Sequence, residues 1–119
     1  MSRRTERVND LIREELSDLL RRELRDPRIA GLVTVTQVDV SPDLRTAKAY
    51  VSVLGTDAER SSTMEAMESA RPFLRREVGR RLRMRTIPDL QFVSDRSMEE
   101  AQAMTDLMRR TAAERGETL

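Results

Sequence analysis

Cysteine and histidine, two residue types that often carry out catalysis, are missing from this chain, and the spacing of its carboxylates suggests no active site. The sequence has 119 residues and contains neither cysteine nor histidine, which removes thiol chemistry, the commonest general base and the commonest transition-metal ligand. Carboxylate pairs such as Glu14/Glu15 and Glu99/Glu100 are adjacent, so on a helix they diverge. We therefore expect no enzyme activity, no cofactor and no metal. A magnesium-dependent nuclease built from scattered aspartates is the remaining catalytic alternative.

The chemistry that the sequence favours is the binding of phosphate groups by arginine. Residues 71–85, RPFLRREVGRRLRMR, contain seven arginines and one glutamate, a local charge of +6 in a chain whose formal net charge is +1. The forked donors of a guanidinium group match the oxygens of a phosphate. A concentration of charge like this indicates a nucleic-acid surface, and the competing interpretation is a solvated helix face.

A proline within this basic run predicts how the arginines are arranged. Pro72 is expected to end one helix and begin another, which runs to about Met84 and offers the free N–H groups of its new N-terminus to an anion. Gly79 is expected to face outward and to allow a close approach of the backbone to a ligand. The inward stripe consists of Leu74, Val78 and Leu82, and the outward side of Arg76, Arg80 and Arg83, with Arg75 and Arg81 on the flanks and Arg71 before the helix.

The remaining elements must position this surface. A three-four spacing of apolar residues predicts a first helix that ends at Pro27; these residues are Val8, Leu11, Ile12, Leu16, Leu19, Leu20 and Leu24. Alternating residues predict two strands joined by a turn at Ser41, Pro42 and Asp43. The second strand turns Ala47, Ala49, Val51 and Val53 inward, and a shift in the apolar phase of the first predicts a bulge near Thr36 and Gln37.

The second half of the chain is predicted to form a helix, the third strand of the sheet and a last helix. A helix begins with Asp57 as its N-cap, and a third strand places Leu90 and Phe92 on one face. Ser97 to Glu100 match a capping box that opens a last helix with Met98, Ala101, Met104, Leu107 and Met108 on its apolar side. We interpret the methionines at 64, 67, 98, 104 and 108 as core residues, with a partner-binding surface as the alternative.

The resulting order, α-β-β-α-(kink)-α-β-α, is that of an α+β fold with a three-stranded sheet and helices on one face. Residues 1–110 form a single domain, and residues 111–119 a polar C-terminal tail. The N-terminal residues lack the apolar core of a signal peptide, and no run approaches membrane-spanning length, so the expected location is the cytoplasm.

Several stretches of the sequence resemble a known family. The matching stretches are RVNDLIREELSDLL, DPRI, VTVTQVDVSPDLRTAKAYVSVLG and RPFLRREVGRRLRMRTIPDLQFVSDRSMEE. Together they cover nearly all of residues 5–110, and they resemble bacterial ribosome-binding factor A. The order of elements resembles a type II KH domain. In that family a short Ala-x-Gly turn kinks the helix pair in place of the GxxG loop. The corresponding residues here are Ala70, Arg71 and Pro72, so proline stands where the family usually has glycine and removes a backbone N–H.

The resemblance implies a non-enzymatic assembly factor. Such proteins bind the immature small (30S) ribosomal subunit, promote late 16S rRNA maturation including processing of its 5′ end, and assist growth in the cold. The implied partners are 16S rRNA and the 30S subunit, with no membrane and no small-molecule substrate, and we expect a monomer. The alternative is a protein-interaction module that docks a partner through its amphipathic helices. The candidate RNA-binding residues are Ala70, Arg71, Pro72, Arg75, Arg76, Gly79, Arg80, Arg81, Arg83 and Arg85, with Lys48, Arg45, Arg3 and Arg4 as secondary candidates.

Overall fold

The described residues, 3–22 and 33–116 of a computed structural model, form a sheet with helices on one of its faces. The elements are α1 (Arg3–Arg22), β1 (Val33–Val40), β2 (Thr46–Val53), α2 (Asp57–Arg81), β3 (Asp89–Ser94) and α3 (Ser97–Glu114). The predicted α+β fold with a three-stranded sheet is confirmed. The predicted helix end at Pro27 lies outside the described residues. No described helix combines the length and the apolar character needed to cross a membrane.

The sheet has the order β1-β2-β3. β1 and β2 form the predicted antiparallel hairpin, closed by a hydrogen bond from Ser41 N to Thr46 O of 2.9 Å. The register shifts between Val35 and Gln37, which confirms the predicted bulge. β3 is parallel to β2, so the connection between them has to cross one face of the sheet, and α2 makes this crossing.

One face of the sheet carries the core. The alternate β2 residues that were predicted to face inward are buried, and α1 and α2 cover them. The side chains buried at this interface are Ile12, Leu16 and Leu19 of α1, Met67, Leu74 and Val78 of α2, and Val35, Val38, Ala47, Ala49, Val51 and Leu90 of the sheet. Burial of each large side chain contributes about 1.5–3 kcal/mol, so this interface fixes the position of α2 on the sheet.

α2 is a single helix across Pro72, and the predicted break there is wrong. Its N-cap is Thr56, not Asp57: Thr56 Oγ1 accepts from Glu59 N at 3.1 Å, and Glu59 Oε1 accepts from Thr56 N at 3.0 Å. Pro72 has no N–H to donate to the Glu68 carbonyl. Both residues are exposed, so water can take the place of the missing donor and the helix continues to Arg81.

α3 departs from the prediction in its cap and in its packing. Its N-cap is Arg96, without a side-chain hydrogen bond, in place of the predicted capping box. Met104, Leu107 and Met108 are each half-exposed or more, so the core interpretation of Met104 and Met108 is wrong, whereas Met67 is buried and Met64 packs against the core. The structure does not describe the side chain of Met98, so its prediction as a core residue stays a prediction. The helix also continues to Glu114, beyond the predicted end of the domain at residue 110.

The turn after α2 packs tightly on the helix because of Gly79. A Cβ built on Gly79 would lie 2.4 Å from Ile87 Cδ1 and 2.6 Å from Ile87 Cγ1. Gly79 is therefore buried beneath Ile87, and the prediction that it faces outward toward a ligand is wrong. The close approach that the glycine permits is that of the chain's own isoleucine.

We predict that Gly79→Ala destabilises the fold by about 1 kcal/mol, because overpacking costs about 1–3 kcal/mol and the gain in helix propensity returns only about 1 kcal/mol. Ile87→Ala removes the clash, so in that background the same substitution should stabilise by about 0.5–1 kcal/mol. Urea unfolding of the four proteins in this cycle measures both effects. Stabilisation by Gly79→Ala in the parent would contradict the packing described.

Candidate nucleic-acid interface

The second half of α2 and the turn that follows it present five exposed guanidinium groups. They belong to Arg71, Arg76, Arg80, Arg83 and Arg85. Arg71 approaches Glu68 at 3.6 Å and Arg80 pairs with Glu77 at 2.8 Å, both at the surface. Surface pairs of this kind contribute about 0–1 kcal/mol, so a phosphate can compete for these arginines. Within residues 3–22 and 33–116, Arg76, Arg83 and Arg85 have no carboxylate within salt-bridge distance.

Two of the candidate arginines instead hold the fold together. Arg75 donates from Nη2 to the Ile87 carbonyl at 2.8 Å and from Nε to the Pro88 carbonyl at 3.3 Å, and it lies 3.5 Å from Asp89. It therefore fastens the turn before β3 to α2. This arginine is half-buried and its donors are directed into the protein, so it does not belong to the exposed group, and its phosphate contact stays a prediction.

Arg81 joins α2 to α1. Its Nη1 lies 2.8 Å from Asp18 Oδ2 and 3.2 Å from Glu15 Oε2, and four-fifths of its side chain is buried. The hydrogen bond from Arg81, helped by the charge of Arg22, lowers the pKa of Asp18 below its ordinary value. This pairing stabilises the folded state above the pKa of Asp18 in the unfolded chain and is lost as the pH falls through the lower, folded pKa. Arg81 is thus paired within the protein, and its RNA contact stays a prediction.

Arg83 occupies a backbone conformation that normally calls for glycine. Its φ is 50°, and it stands immediately after the C-cap residue Leu82. The N–H of Met84 donates to the Gly79 carbonyl at 3.0 Å and that of Arg83 to the Arg80 carbonyl at 3.3 Å, a Schellman motif. A left-handed conformation costs a non-glycine residue about 1–2 kcal/mol, so the arginine stands here against the local preference of the backbone.

The predicted anion site at Pro72 is absent. Pro72 lies inside α2, so the helix has no terminus there and offers no free N–H groups to a phosphate. Ala70 is half-buried against the core. Pro72 itself is exposed between Arg71 and Arg75 in a shallow depression that Arg76 and Asp89 complete. The surface at this point therefore consists of side-chain charge, without the helix dipole that the sequence had suggested.

The secondary candidates lie in different places. Arg45 is exposed, and its carbonyl accepts from Asp89 N at 2.9 Å, which puts it at the end of the sheet where Arg71 and Arg76 lie. Lys48 points from the uncovered face of β2, opposite the face on which α2 packs. Arg3 and Arg4 are exposed in the first turn of α1. The structure brings Arg45 to the arginine surface, but it places Lys48 on the other side of the sheet.

The start of α2 carries the opposite charge, which the predictions from the sequence did not include. Residues 57–68 contain four carboxylates and one arginine, Arg60. Arg60 is buried and pairs with Asp57 at 2.6 Å and with Glu99 of α3. The spacing of three residues between Asp57 and Arg60 is a helical ion-pair signal and could have revealed half of this cluster, whereas the contribution of Glu99 depends on tertiary structure.

Comparison with known proteins agrees with this fold. The family description "Ribosome-binding factor A" matches residues 4–108. The chain belongs to the ribosome-binding factor A family. Ribosome-binding factor A of Acetivibrio thermocellus is 42% identical over 111 residues, which cover 93% of this chain and 90% of the relative. The corresponding protein of Thioalkalivibrio sulfidiphilus is 46% identical, with 93% and 85% covered.

Solved structures of this family share the architecture. The crystal structure of ribosome-binding factor A from Thermus thermophilus superposes with a TM-score of 0.67 at 27% identity, covering 76% of this chain and 94% of that one. A homology model of the Thermus factor, fitted into a cryo-EM map of its complex with 30S, gives 0.63 at 28% identity, covering 74% and 91%. The sequence-based assignment to the family and its KH-like fold is confirmed.

We predict that Arg83→Gly stabilises the protein by up to about 1 kcal/mol, because glycine adopts the left-handed conformation without strain. It should at the same time weaken RNA binding at this surface, since one exposed charge is lost. Thermal unfolding and RNA binding, measured on the same preparation, check both parts. Arg85→Gly is the matched control and should weaken binding without the gain in stability. Equal stability changes in the two variants would contradict this role of the Arg83 backbone.

Proposed function

We propose that this protein binds the immature 30S subunit in the cytoplasm and promotes late maturation of 16S rRNA, including processing of its 5′ end. Two observations support the proposal: membership of the ribosome-binding factor A family and the 30S complex described for the Thermus relative. The chain acts as a monomer, without a cofactor, a small-molecule substrate or a membrane.

The observation that carries the RNA contact is the group of five exposed arginines, Arg71, Arg76, Arg80, Arg83 and Arg85. We define them as the arginine edge. Their guanidinium groups lie at the surface on one half of a rigid helix and on the turn after it, so an RNA backbone can reach them without rearrangement of the protein. Arg45 extends this surface from the neighbouring hairpin. Most of the affinity in such contacts comes from phosphate charge, so the arginine edge provides the affinity for RNA. Specificity then depends on the shape of the RNA.

Binding alone is sufficient for this role. The described residues hold no cluster of three or more acidic side chains arranged for a metal ion, and the buried charge of Arg60 is paired with Asp57 and Glu99. An assembly factor of this kind works by binding one rRNA conformation more tightly than another, which shifts their populations by the difference in binding free energy. Every tenfold preference for the mature arrangement corresponds to about 1.4 kcal/mol.

A protein-interaction role remains the second candidate because α3 exposes Met104, Leu107 and Met108. These residues lie on a helix that the core does not cover, and an amphipathic face of this type can dock a partner. In that case the arginine edge would only confer solubility. The two functions differ in which charge reversals weaken binding to the 30S subunit: those in the arginine edge or those on α3.

We predict that the affinity for 30S subunits falls steeply with salt, with a log–log slope of about −3.5 if the five arginines of the edge each meet one phosphate of single-stranded RNA. The variant Arg76→Glu, Arg83→Glu, Arg85→Glu should bind at least about 100-fold more weakly, with a slope of about −1.4. Filter binding at several salt concentrations measures both quantities.

The matched control changes the same number of exposed arginines on α3 and at its C-cap: Arg109→Glu, Arg110→Glu, Arg115→Glu. It alters net charge by the same amount but leaves the arginine edge intact, so its slope should stay near that of the parent. Loss of binding in the α3 variant, with the edge variant unaffected, would favour the protein-interaction function over the RNA contact.

A further inference from the structure

The outer edge of β3 has unused hydrogen-bonding groups. Asp89 N donates to Arg45 O at 2.9 Å and Asp95 N to Val51 O at 2.7 Å, so the odd-numbered residues of this segment point their backbone groups toward β2. By the alternation of a strand, the N–H and C=O groups of Leu90, Phe92 and Ser94 point the other way. Among the described residues no backbone group pairs with them. An unpaired edge of this kind is a template for another strand.

A groove runs beside this edge. It has a volume of about 700 Å³ and lies between the first half of α2 and the end of β3. One wall is formed by residues of α2, and Ser94 lies at the opposite side; the α2 residues are Arg60, Ser61, Met64, Glu65, Glu68 and Ser69. A strand added to β3 would turn alternate side chains into this groove, where Met64 offers an apolar contact and the two glutamates offer charge.

The charge of the groove selects against RNA. Residues 57–68 carry a net charge of −3, whereas residues 71–85 carry +6. Arg60, the one cation of the first segment, is buried and offset by Asp57 and Glu99. Glu65 and Glu68 are exposed, so a phosphate backbone is repelled here and a cationic ligand is attracted.

We propose that the groove between β3 and the first half of α2 binds an extended, lysine- or arginine-rich segment of a partner protein, which pairs with β3 as an additional strand. Backbone hydrogen bonds to Leu90, Phe92 and Ser94 provide the register. Alternate side chains of the segment contact Met64 and the carboxylates of Glu65 and Glu68. The acidic groove and the arginine edge lie on successive halves of α2 and meet where Arg71 approaches Glu68 at 3.6 Å.

The probe is a fluorescein-labelled peptide of about nine alternating lysine and valine residues, long enough to span a strand of ordinary length. Fluorescence anisotropy with the full chain should show saturable binding. A peptide with glutamate in place of lysine, and one N-methylated at alternate residues so that it cannot donate to the edge, should each bind at least about tenfold more weakly. Equal binding of the glutamate or N-methylated peptide would overturn the proposal.

Variants of the protein locate the peptide. Ser94→Pro removes an outward N–H and breaks no bond to β2, so it should weaken binding about tenfold, whereas Ser94→Ala keeps the N–H and should bind as the parent does. Glu65→Lys with Glu68→Lys should weaken binding by a similar factor. These glutamates are exposed, so this variant tests the groove even if Ser94→Pro does not fold. Parent-like binding by the Glu65→Lys, Glu68→Lys variant would overturn the proposal.

Two further outcomes separate this site from other uses of the edge. The arginine-edge variant should bind the peptide with at least the parent affinity, so a failure of the RNA contact leaves this result intact. An oligouridine that displaces the peptide from the parent, and whose own binding is lost in Ser94→Pro, would show that the groove is a nucleic-acid site and would overturn the proposal. If sedimentation shows that the protein forms dimers which dissociate when the peptide is added, the edge pairs copies of this chain. This result would also overturn the proposal.

Discussion

Leu74 and Val78 hold the second half of α2 against the sheet, and they fix the rotation of the helix that decides which of its arginines reach solvent. Both side chains are buried completely or almost so. With this stripe facing inward, Arg75 is directed onto the carbonyl groups before β3 and Arg81 onto the carboxylates of α1. The contact of Gly79 with Ile87 fixes the turn in the same way. The remaining arginines are left outside on a rigid support, which suits a surface that must meet phosphates with little loss of entropy on binding.

Charge is divided along α2 as well as around it. The first half is acidic and ends near Glu68, and the second half is basic and begins at Arg71. The depression at Pro72 and Asp89 lies next to the arginine edge, and the groove at Met64 and Ser94 lies next to the acidic half. Because β3 runs beside both, one helix and one strand present two surfaces of opposite sign. This division explains how a chain with almost no net charge can have a strongly cationic binding surface.

The sequence was informative for several patterns that are local. The hairpin, its bulge at Thr36, the inward face of β2 and the family resemblance all follow from short stretches of residues, and the structure or the comparisons confirm them. Predictions that depend on a tertiary partner were less successful. The period of a helix places Arg81 on a flank, but only the approach of α1 shows that Asp18 neutralises it. Likewise, nothing local distinguishes Gly79 beneath Ile87 from a glycine that faces a ligand.

Pro72 and α3 show two further limits. A proline within a helix was interpreted as a break, yet an exposed position lets water solvate the one carbonyl that loses its donor, so the helix persists. The apolar spacing of α3 is that of a core helix, but burial also requires a neighbouring element, and among the described elements none covers Met104 and Met108. Amphipathic spacing therefore identifies a face that can be buried, and the tertiary structure determines whether it is.

The arginine edge is the centre of this account, and a cryo-EM reconstruction of the protein on an immature 30S subunit tests it most directly. The account predicts that the guanidinium groups of Arg76, Arg83 and Arg85 lie about 3 Å from rRNA phosphate oxygens, while Arg75 and Arg81 keep their internal partners. A complex in which the second half of α2 faces solvent and the protein contacts the subunit through α3 would contradict it.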